Sequence, residues 1–288
     1  MQRLHIFIIL AGLILLGMIG VLFYWENGEN IISKDSNNQT SEDGFSQTSS
    51  DPALYTKSKI SGFTVRVPIL NYHYIQNPPN QKDNLIVNLS VTPDNFREQM
   101  LYLVNNKIQT LTMQDLLDAL QNKKSVSNSV ILTFDDGYID FYTNAFPILK
   151  EYDLKATVFM ITSKIGKAGY LTSAQIQELD RSGLITIGSH TTNHISLKDQ
   201  TEQKVNFEIE QSKLILEKNV GHKIVFFAYP NGLFDEQAEK LVEKAGYLAA
   251  VTTVDGDTHS YSNRFIWTRK RISGRATLED YIKIVKMK

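Results

Sequence analysis

The sequence predicts an α/β fold of about seven strand–helix units built on a parallel sheet, either closed into a barrel or left open. Three observations predict it. Runs such as SVILTF, KATVFMIT and KIVFFAY are apolar almost throughout, so both of their faces need cover, as in the strands of a parallel sheet. Segments with helical spacing and helix-start signals separate these runs. The chain has 288 residues, 42% of them hydrophobic, enough for one large domain with additions.

The elements follow in order. Arg3 precedes a run from Leu4 to Trp25 with no charge except on a protonated His5, which meets the roughly 20 apolar residues a bilayer core requires. Glu26 and Glu29 come next, so the positive-inside bias places the N-terminus in the cytoplasm and the rest outside. The run is long for a cleaved signal and no small-residue cleavage site follows it. A retained signal anchor over residues 1–25 is therefore expected, with a cleaved and secreted form as the alternative. Residues 26–62 turn polar, as in SKDSNNQTSEDGFSQTSSD, and lack the apolar surface to offset ordering entropy. They are expected to form a flexible extracellular linker.

Residues 63–288 are the predicted domain. TVRVPILNY reads as a strand, and TPDNFREQMLYLVNN as a helix with Thr92 as N-cap and Pro93 first. TMQDLLDAL follows, with Thr112 and Asp115 in capping-box positions. The strand SVILTF, the helix around FYTNAFPILKEY, the strand KATVFMIT, the helix SAQIQELDRSG and the strand LITIGS come next. A long helix from Glu202 to Asn219 leads to KIVFFAY, EQAEKLVEKAG, LAAVTT, WTRKRIS and a last helix near Leu278 to Val285.

Composition narrows the function. Thirty Lys and Arg against 31 Asp and Glu leave a formal charge of -1, which offers no electrostatic case for nucleic acid or an anionic membrane surface. With no cysteine there are no disulfides or thiolate sites, and any metal falls to histidine and carboxylate.

Parallel α/β folds gather functional groups at the C-terminal ends of their strands. Three predicted strand ends carry such groups: Asp135 and Asp136 after ILTF, His190 and His194 after ITIGS, and Tyr229, Pro230, Asn231 and Gly232 after VFFA. Imidazoles four residues apart in a turn can reach one cation, and a carboxylate from a neighbouring strand would leave a position for water. Two unrelated loop histidines are the alternative for that pattern alone. Adjacent carboxylates repel and resist burial, so folding gives no reason to set them at the mouth of an apolar strand. A hairpin Asp-Gly turn is the competing reading, but the flanks read as strand then helix. A cation held by one carboxylate would offset the repulsion and leave its neighbour free as a base.

TFDDG, then SHTTNH with ISL, then FAYPNG resemble in their order the polysaccharide deacetylase family, also called the NodB homology domain or carbohydrate esterase family 4. The resemblance covers roughly Val67 to Ile272. It implies a distorted (β/α) barrel and metal-dependent hydrolysis of N-acetyl groups on sugar polymers. On these motifs Asp135 matches the catalytic base, and Asp136, His190 and His194 match the ligands of a divalent metal, usually Zn2+, with Co2+, Ni2+ or Fe2+ as alternatives. Tyr229 matches the residue whose backbone N–H helps hold the oxyanion, with Pro230, Asn231 and Gly232 beside it against the substrate.

Two departures stand out. Ala228 occupies the place of the family's base-orienting arginine, and no histidine follows His259, where the family's C-terminal acid would lie. His73, in ILNYHYI, shares a strand face with Ile69 and Asn71 by period-two counting and has the pKa range of a general acid. It resembles the early histidine of the branch that deacetylates poly-β-1,6-N-acetylglucosamine; a histidine packed between tyrosines is the alternative. Arg269 and Arg271 share a face of WTRKRIS and either could orient the base, Arg269 ranking ahead by the same resemblance. A solvated basic edge is the other reading.

His259 is expected to be exposed in a polar loop, and His222 at a helix end. Tyr72, Tyr74 and Phe234 read as sugar-stacking walls or as core. The expectation is a membrane-anchored, outward-facing deacetylase with a monomeric catalytic domain. Its substrate would be an N-acetylglucosamine polymer, either exopolysaccharide such as poly-β-1,6-N-acetylglucosamine or peptidoglycan. A non-catalytic carbohydrate-binding scaffold and a deacetylase of other glycans such as xylan are the alternatives.

Overall fold

Every residue of SVILTF is buried, because this strand has neighbours on both edges and side chains on both faces. The computed structural model describes residues 52–286. The expected signal anchor and the linker up to residue 51 lie outside the described residues. Among the described residues no helix is long and apolar enough to cross a membrane.

The strands are β1 (Thr64–Arg66), β2 (Ile69–Tyr72), β3 (Tyr74–Ile75), β4 (Ser90–Val91), β5 (Gln109–Leu111) and β6 (Ser129–Phe134). They continue with β7 (Ala156–Met160), β8 (Ile185–Ser189), β9 (Phe226–Ala228), β10 (Ala249–Asp255), β11 (Thr258–Ser260) and β12 (Trp267–Arg271). The order β2-β12-β10-β9-β8-β7-β6 is parallel throughout, and β6 pairs back onto β2, which closes a seven-stranded barrel. The choice between barrel and open sheet is thereby decided. β5 runs parallel beside the first half of β6, on the edge that β7 takes over further along.

Alternation along the strands sorts side chains into two cores. Ile69, Ile131, Phe159, Val251 and Trp267 join one buried cluster inside the barrel, which Met113, Leu116, Leu117 and Leu120 of the helix Met113–Gln121 close from below. Their neighbours Leu70 and Leu132 belong to the outer cluster, packed against helical residues such as Phe96, Met100, Ile176 and Ile209. The helices start as expected. The Thr92 side chain accepts from the Asn95 N–H with Pro93 first in its helix, and Thr112 and Asp115 form a reciprocal capping box.

Three expectations change. FYTNAFPILKEY is not one α-helix: a π-turn over Phe141–Ala145 precedes an α-helix over Phe146–Glu151. Pro147 has no N–H to bond the preceding turn, and the wider turn accommodates it. The unordered linker to residue 62 does not hold for its last part. Residues Pro52–Ser58 form a helix whose Tyr55 hydroxyl donates to Glu239 Oε2 at 2.6 Å and whose ring meets Phe234 edge-on. His259 is buried rather than exposed, because β11 pairs antiparallel with β1 beneath the barrel. Its Nε2–H donates to the Val67 carbonyl at 3.0 Å and its ring lies against Trp267.

Candidate active site

Asp135 directly follows β6, and its N–H continues the barrel pairing to the Tyr72 carbonyl at 3.0 Å. Period two turns its side chain inward above Ile131 and Thr133. There Arg269 of β12 meets it fork to fork, Nη1 donating to Oδ1 at 2.8 Å and Nη2 to Oδ2 at 2.7 Å. Asn71 Nδ2 donates to Oδ2 at 2.9 Å. The guanidinium is fully buried and fixed by further bonds to the Thr252 carbonyl at 2.8 Å and Thr133 Oγ1 at 3.1 Å. Burial alone would raise the Asp135 carboxyl, but the charge of Arg269, then His190, and the bonds from Arg269 hold it well below the usual carboxylate range. Arg271, two residues further along β12, is exposed. The arginine missing at Ala228 is thus matched by one arriving from a different strand.

Asp136 and Gly137 turn the chain sharply, with φ of 74° and 73°. The positive φ favours glycine at 137, where a side chain would also have to push aside the end of Met160. The reversal sends consecutive carboxylates to different partners: Asp135 to Arg269, Asp136 to the histidines. His190 follows β8 and its N–H donates to the Met160 carbonyl at 2.9 Å. Its Nδ1 lies 2.7 Å from the Ala228 carbonyl, so Nδ1 carries the hydrogen and Nε2 presents its lone pair toward Asp136 Oδ1, 3.6 Å away. His194 Nε2 is 3.3 Å from the same oxygen.

The loop between the two histidines is strained and tied down. Thr191 and His194 have φ of 67° and 59°, and Thr191 Oγ1 accepts from the His194 N–H at 2.9 Å. Buried Glu208 accepts from the Asn193 backbone N–H at 2.7 Å and from its side-chain amide at 2.8 Å. The candidate ligand atoms of Asp136, His190 and His194 all lie within 4.8 Å of one another. Asp136 Oδ1 is buried without a hydrogen-bond partner, facing the unprotonated Nε2 of His190 and the Nε2 of His194. Such an orphan is costly unless a cation sits among the three, and one carboxylate with two imidazoles suits a divalent ion such as zinc. Burial raises the Asp136 carboxyl and lowers both imidazoles, so the histidines are neutral.

Tyr229 departs from expectation. Its N–H extends the β9–β10 pairing and donates to the Val251 carbonyl at 3.1 Å, so it is not free for an oxyanion. Its ring is buried and stacks on Phe234, which places both in the core. Pro230–Gly232 form one tight turn in which Asn231 has φ of 56°. The Gly232 and Leu233 N–H groups bond back to Tyr229 and Pro230, whereas the Asn231 N–H has no acceptor among the described residues. The free amide of this motif is therefore that of Asn231.

Comparison with known proteins completes the picture. Residues 122–250 match the family model for polysaccharide deacetylases. Over 209 residues the chain is 36% identical to YxkH of Bacillus subtilis, a protein named as a polysaccharide deacetylase, covering 72% of each chain. The chain belongs to the polysaccharide deacetylase family. It is 31% identical to the poly-β-1,6-N-acetyl-D-glucosamine N-deacetylase of Staphylococcus epidermidis over 198 residues, 62% of this chain and 68% of that one. The structure of the Streptococcus pyogenes deacetylase PplD in complex with acetate superposes with a TM-score of 0.71 at 31% identity, covering 77% of this chain and 99% of that one.

In this polysaccharide deacetylase His73 follows β2 at the barrel mouth and is half-buried. Burial lowers its pKa to about 4, against the charge of Asp135, which raises it; Arg269, Arg271 and His194 lower it further, so the ring stands among these groups. Its segment is clamped two residues on, where Asp140 Oδ2 accepts from the Ile75 N–H and Asn144 Nδ2 donates to the Ile75 carbonyl, both at 2.7 Å. Tyr72 belongs to the core, its hydroxyl bonded to Gln99, and of the three suggested aromatic walls only Tyr74 reaches the mouth. His222 is exposed and bonded to Asp180, as a helix-end residue. Sequence reasoning missed Asn71 and Thr133 as partners of the Asp135–Arg269 pair, and Glu208 behind the histidine loop. Period-two counting from Asp135 would have marked Thr133; nothing local marks Glu208.

Proposed function

We propose that this deacetylase hydrolyses N-acetyl groups from N-acetylglucosamine units of an extracellular polymer with the help of a bound divalent cation, zinc by preference. One observation carries the reading. Two carboxylates adjacent in sequence are held in opposite circumstances, Asp135 clamped by Arg269 and Asp136 left with an orphan oxygen before two neutral imidazoles.

Asp136, His190 and His194 would hold the ion, which when bound polarises the acetamide carbonyl and acidifies water. Asp135, ionised at neutral pH, takes the proton of the attacking water, and Arg269 with Asn71 keeps it aimed. The Asn231 N–H donates to the carbonyl oxygen as negative charge grows on it. His73, neutral at pH 7 and beside Asp135, relays the proton that Asp135 takes from water to the nitrogen of the departing sugar amine. The likeness to the staphylococcal enzyme and the placement of His73 favour poly-β-1,6-N-acetylglucosamine over peptidoglycan. An anchor at Leu4 to Trp25 would keep the domain close to a polymer outside the cell.

The test is acetate release and mass analysis of products from β-1,6-linked N-acetylglucosamine oligomers and peptidoglycan in parallel. Activity should vanish on chelation and return with zinc or cobalt. Asp135→Asn should lower kcat by about a thousandfold while the metal content stays unchanged. A zinc-loaded chain that releases no acetate from any acetylated glycan would leave a binding or scaffold role instead.

A further inference from the structure

Beside the catalytic mouth lies a cavity of about 290 Å3 lined by Tyr74, Gln76, Tyr138, Asp140, Ala168 and Tyr170, among others. We propose that it is a subsite for a neutral N-acetylhexosamine unit next to the one being deacetylated, a proposal that rests on the deacetylase reading. Tyr74 directly follows His73, and Tyr138 lies two residues after Asp136, so a sugar held here adjoins the chemistry. The third tyrosine is delivered by a loop pinned to the Asp136 turn: Ile139 N–H donates to the Gly169 carbonyl at 2.9 Å, and Leu171 N–H to the Gly137 carbonyl at 3.0 Å.

The rings form a column with Tyr138 in the middle. Its centroid is 3.8 Å from Tyr74 at 20° and 5.1 Å from Tyr170 at 34°. Lys164 Nζ sits over the Tyr170 ring, so ring edges and phenol groups are left to face the cavity. These tyrosines differ from the core ones. Tyr72, Tyr229 and Tyr281 are fully buried, whereas all three here stay half-buried around open space. A phenol keeps its proton at neutral pH, so hydroxyls that face the cavity serve as hydrogen-bond donors.

The lining selects the ligand class. Phenols and the Gln76 amide offer neutral hydrogen-bonding groups beside aromatic edges, no cation lines the space to attract a phosphate or uronate, and exposed Ala168 and Gly169 leave room for a ring. Asp140 lines the same cavity and fixes Tyr74 from behind through its bond to the Ile75 N–H.

The test measures binding without turnover. In the zinc-loaded full chain carrying Asp135→Asn, calorimetry with a β-1,6-linked N-acetylglucosamine pentamer should show affinity falling about tenfold for Tyr170→Ala. Ala168→Trp, which fills the cavity and removes no tyrosine contact, should weaken binding comparably. Tyr261→Ala, exposed just after β11 at the far end of the barrel, should change nothing. Melting temperatures within a few degrees of the parent exclude a folding effect. The subsite is overturned if both cavity variants bind as tightly as the parent, or if the parent does not bind. Acetate release by the unmutated chain reports separately: an inactive chain that binds through the tyrosines keeps the subsite and loses the deacetylase reading. An active chain with unaffected variants does the reverse.

Discussion

Inside the barrel, two layers of side chains on the same strands carry opposite chemistry. The lower layer, Ile69, Ile131 and Trp267, is fully buried and apolar. One inward position further along β2, β6 and β12 stand Asn71, Thr133 and Arg269, and above them Asp135 and His73. The lower layer makes a dry floor, and on that floor a charged pair is strong but expensive to create, which explains why all three guanidinium nitrogens of Arg269 donate, to Thr133, Thr252 and Asp135. Four residues of the upper rim, Asp136, Thr191, His194 and Asn231, sit at positive φ, although Lys107, Asn128 and Asp153 do so in the turns before β5, β6 and β7 as well. Even the buried imidazoles differ: His190 turns a free nitrogen toward Asp136, whereas His259 beneath the barrel serves only packing and one bond to Val67. The buried charges and the imidazole lone pairs, unlike the backbone strain, are gathered at the mouth where chemistry needs them.

That contrast can be broken most directly at Arg269. Replacing it with methionine leaves Asp135 buried without its counter-charge and should cost about 3–5 kcal/mol, read from the denaturant midpoint at neutral pH. In folded enzyme the Asp135 carboxyl would rise from its depressed position, so the acid limb of kcat/KM should move to higher pH. An unchanged limb would mean that Arg269 is packing rather than a clamp.

His259 probes the lower region. Its pKa in the fold, about 4, lies below the 6.5 of an exposed imidazole. Because the folded value is the lower one, the stability linked to it is complete above about 6.5 and drains away as pH falls toward 4, by about 3 kcal/mol in all. Urea midpoints between pH 7 and 4 should fall steeply for the parent and more gently for His259→Gln; equal slopes would remove the titration from the account.

Smaller effects sharpen the comparison. Glu208→Ala should weaken zinc binding about 10- to 100-fold by freeing the loop between His190 and His194, measured by chelator competition, with Glu208→Gln recovering part of the loss. Unaltered affinity would show that the loop holds its shape unaided. Smallest is Tyr55→Phe, which removes the bond to Glu239 and should lower stability by about 1 kcal/mol if the Pro52–Ser58 helix contributes to the domain.

How much of this could be read beforehand depends on whether a residue's partner was local. Asp135, Asp136, His190 and His194 were legible because each ends a strongly apolar run, and a polar group at that place in a parallel fold marks the mouth. Thr92, Thr112 and Asp115 were legible because a cap bonds within its own turn. Tyr229 misled because its motif position was plain but its strand register was not, and one added pair with Val251 moved the free amide to Asn231. His259 misled because a polar stretch, DGDTHSY, hid a strand whose partner lies near residue 65.

The chain order of apolar runs and polar strand ends was enough to specify a parallel α/β fold and the residues at its mouth, since those follow from side-chain periodicity and local capping. Whether the sheet closes, that Arg269 and not Arg271 meets Asp135, that Glu208 braces the histidine loop, and that Tyr74, Tyr138 and Tyr170 form one column were decided only in three dimensions. The physical reason is that each of these depends on contacts between segments far apart in the chain, whose register and burial no local pattern encodes.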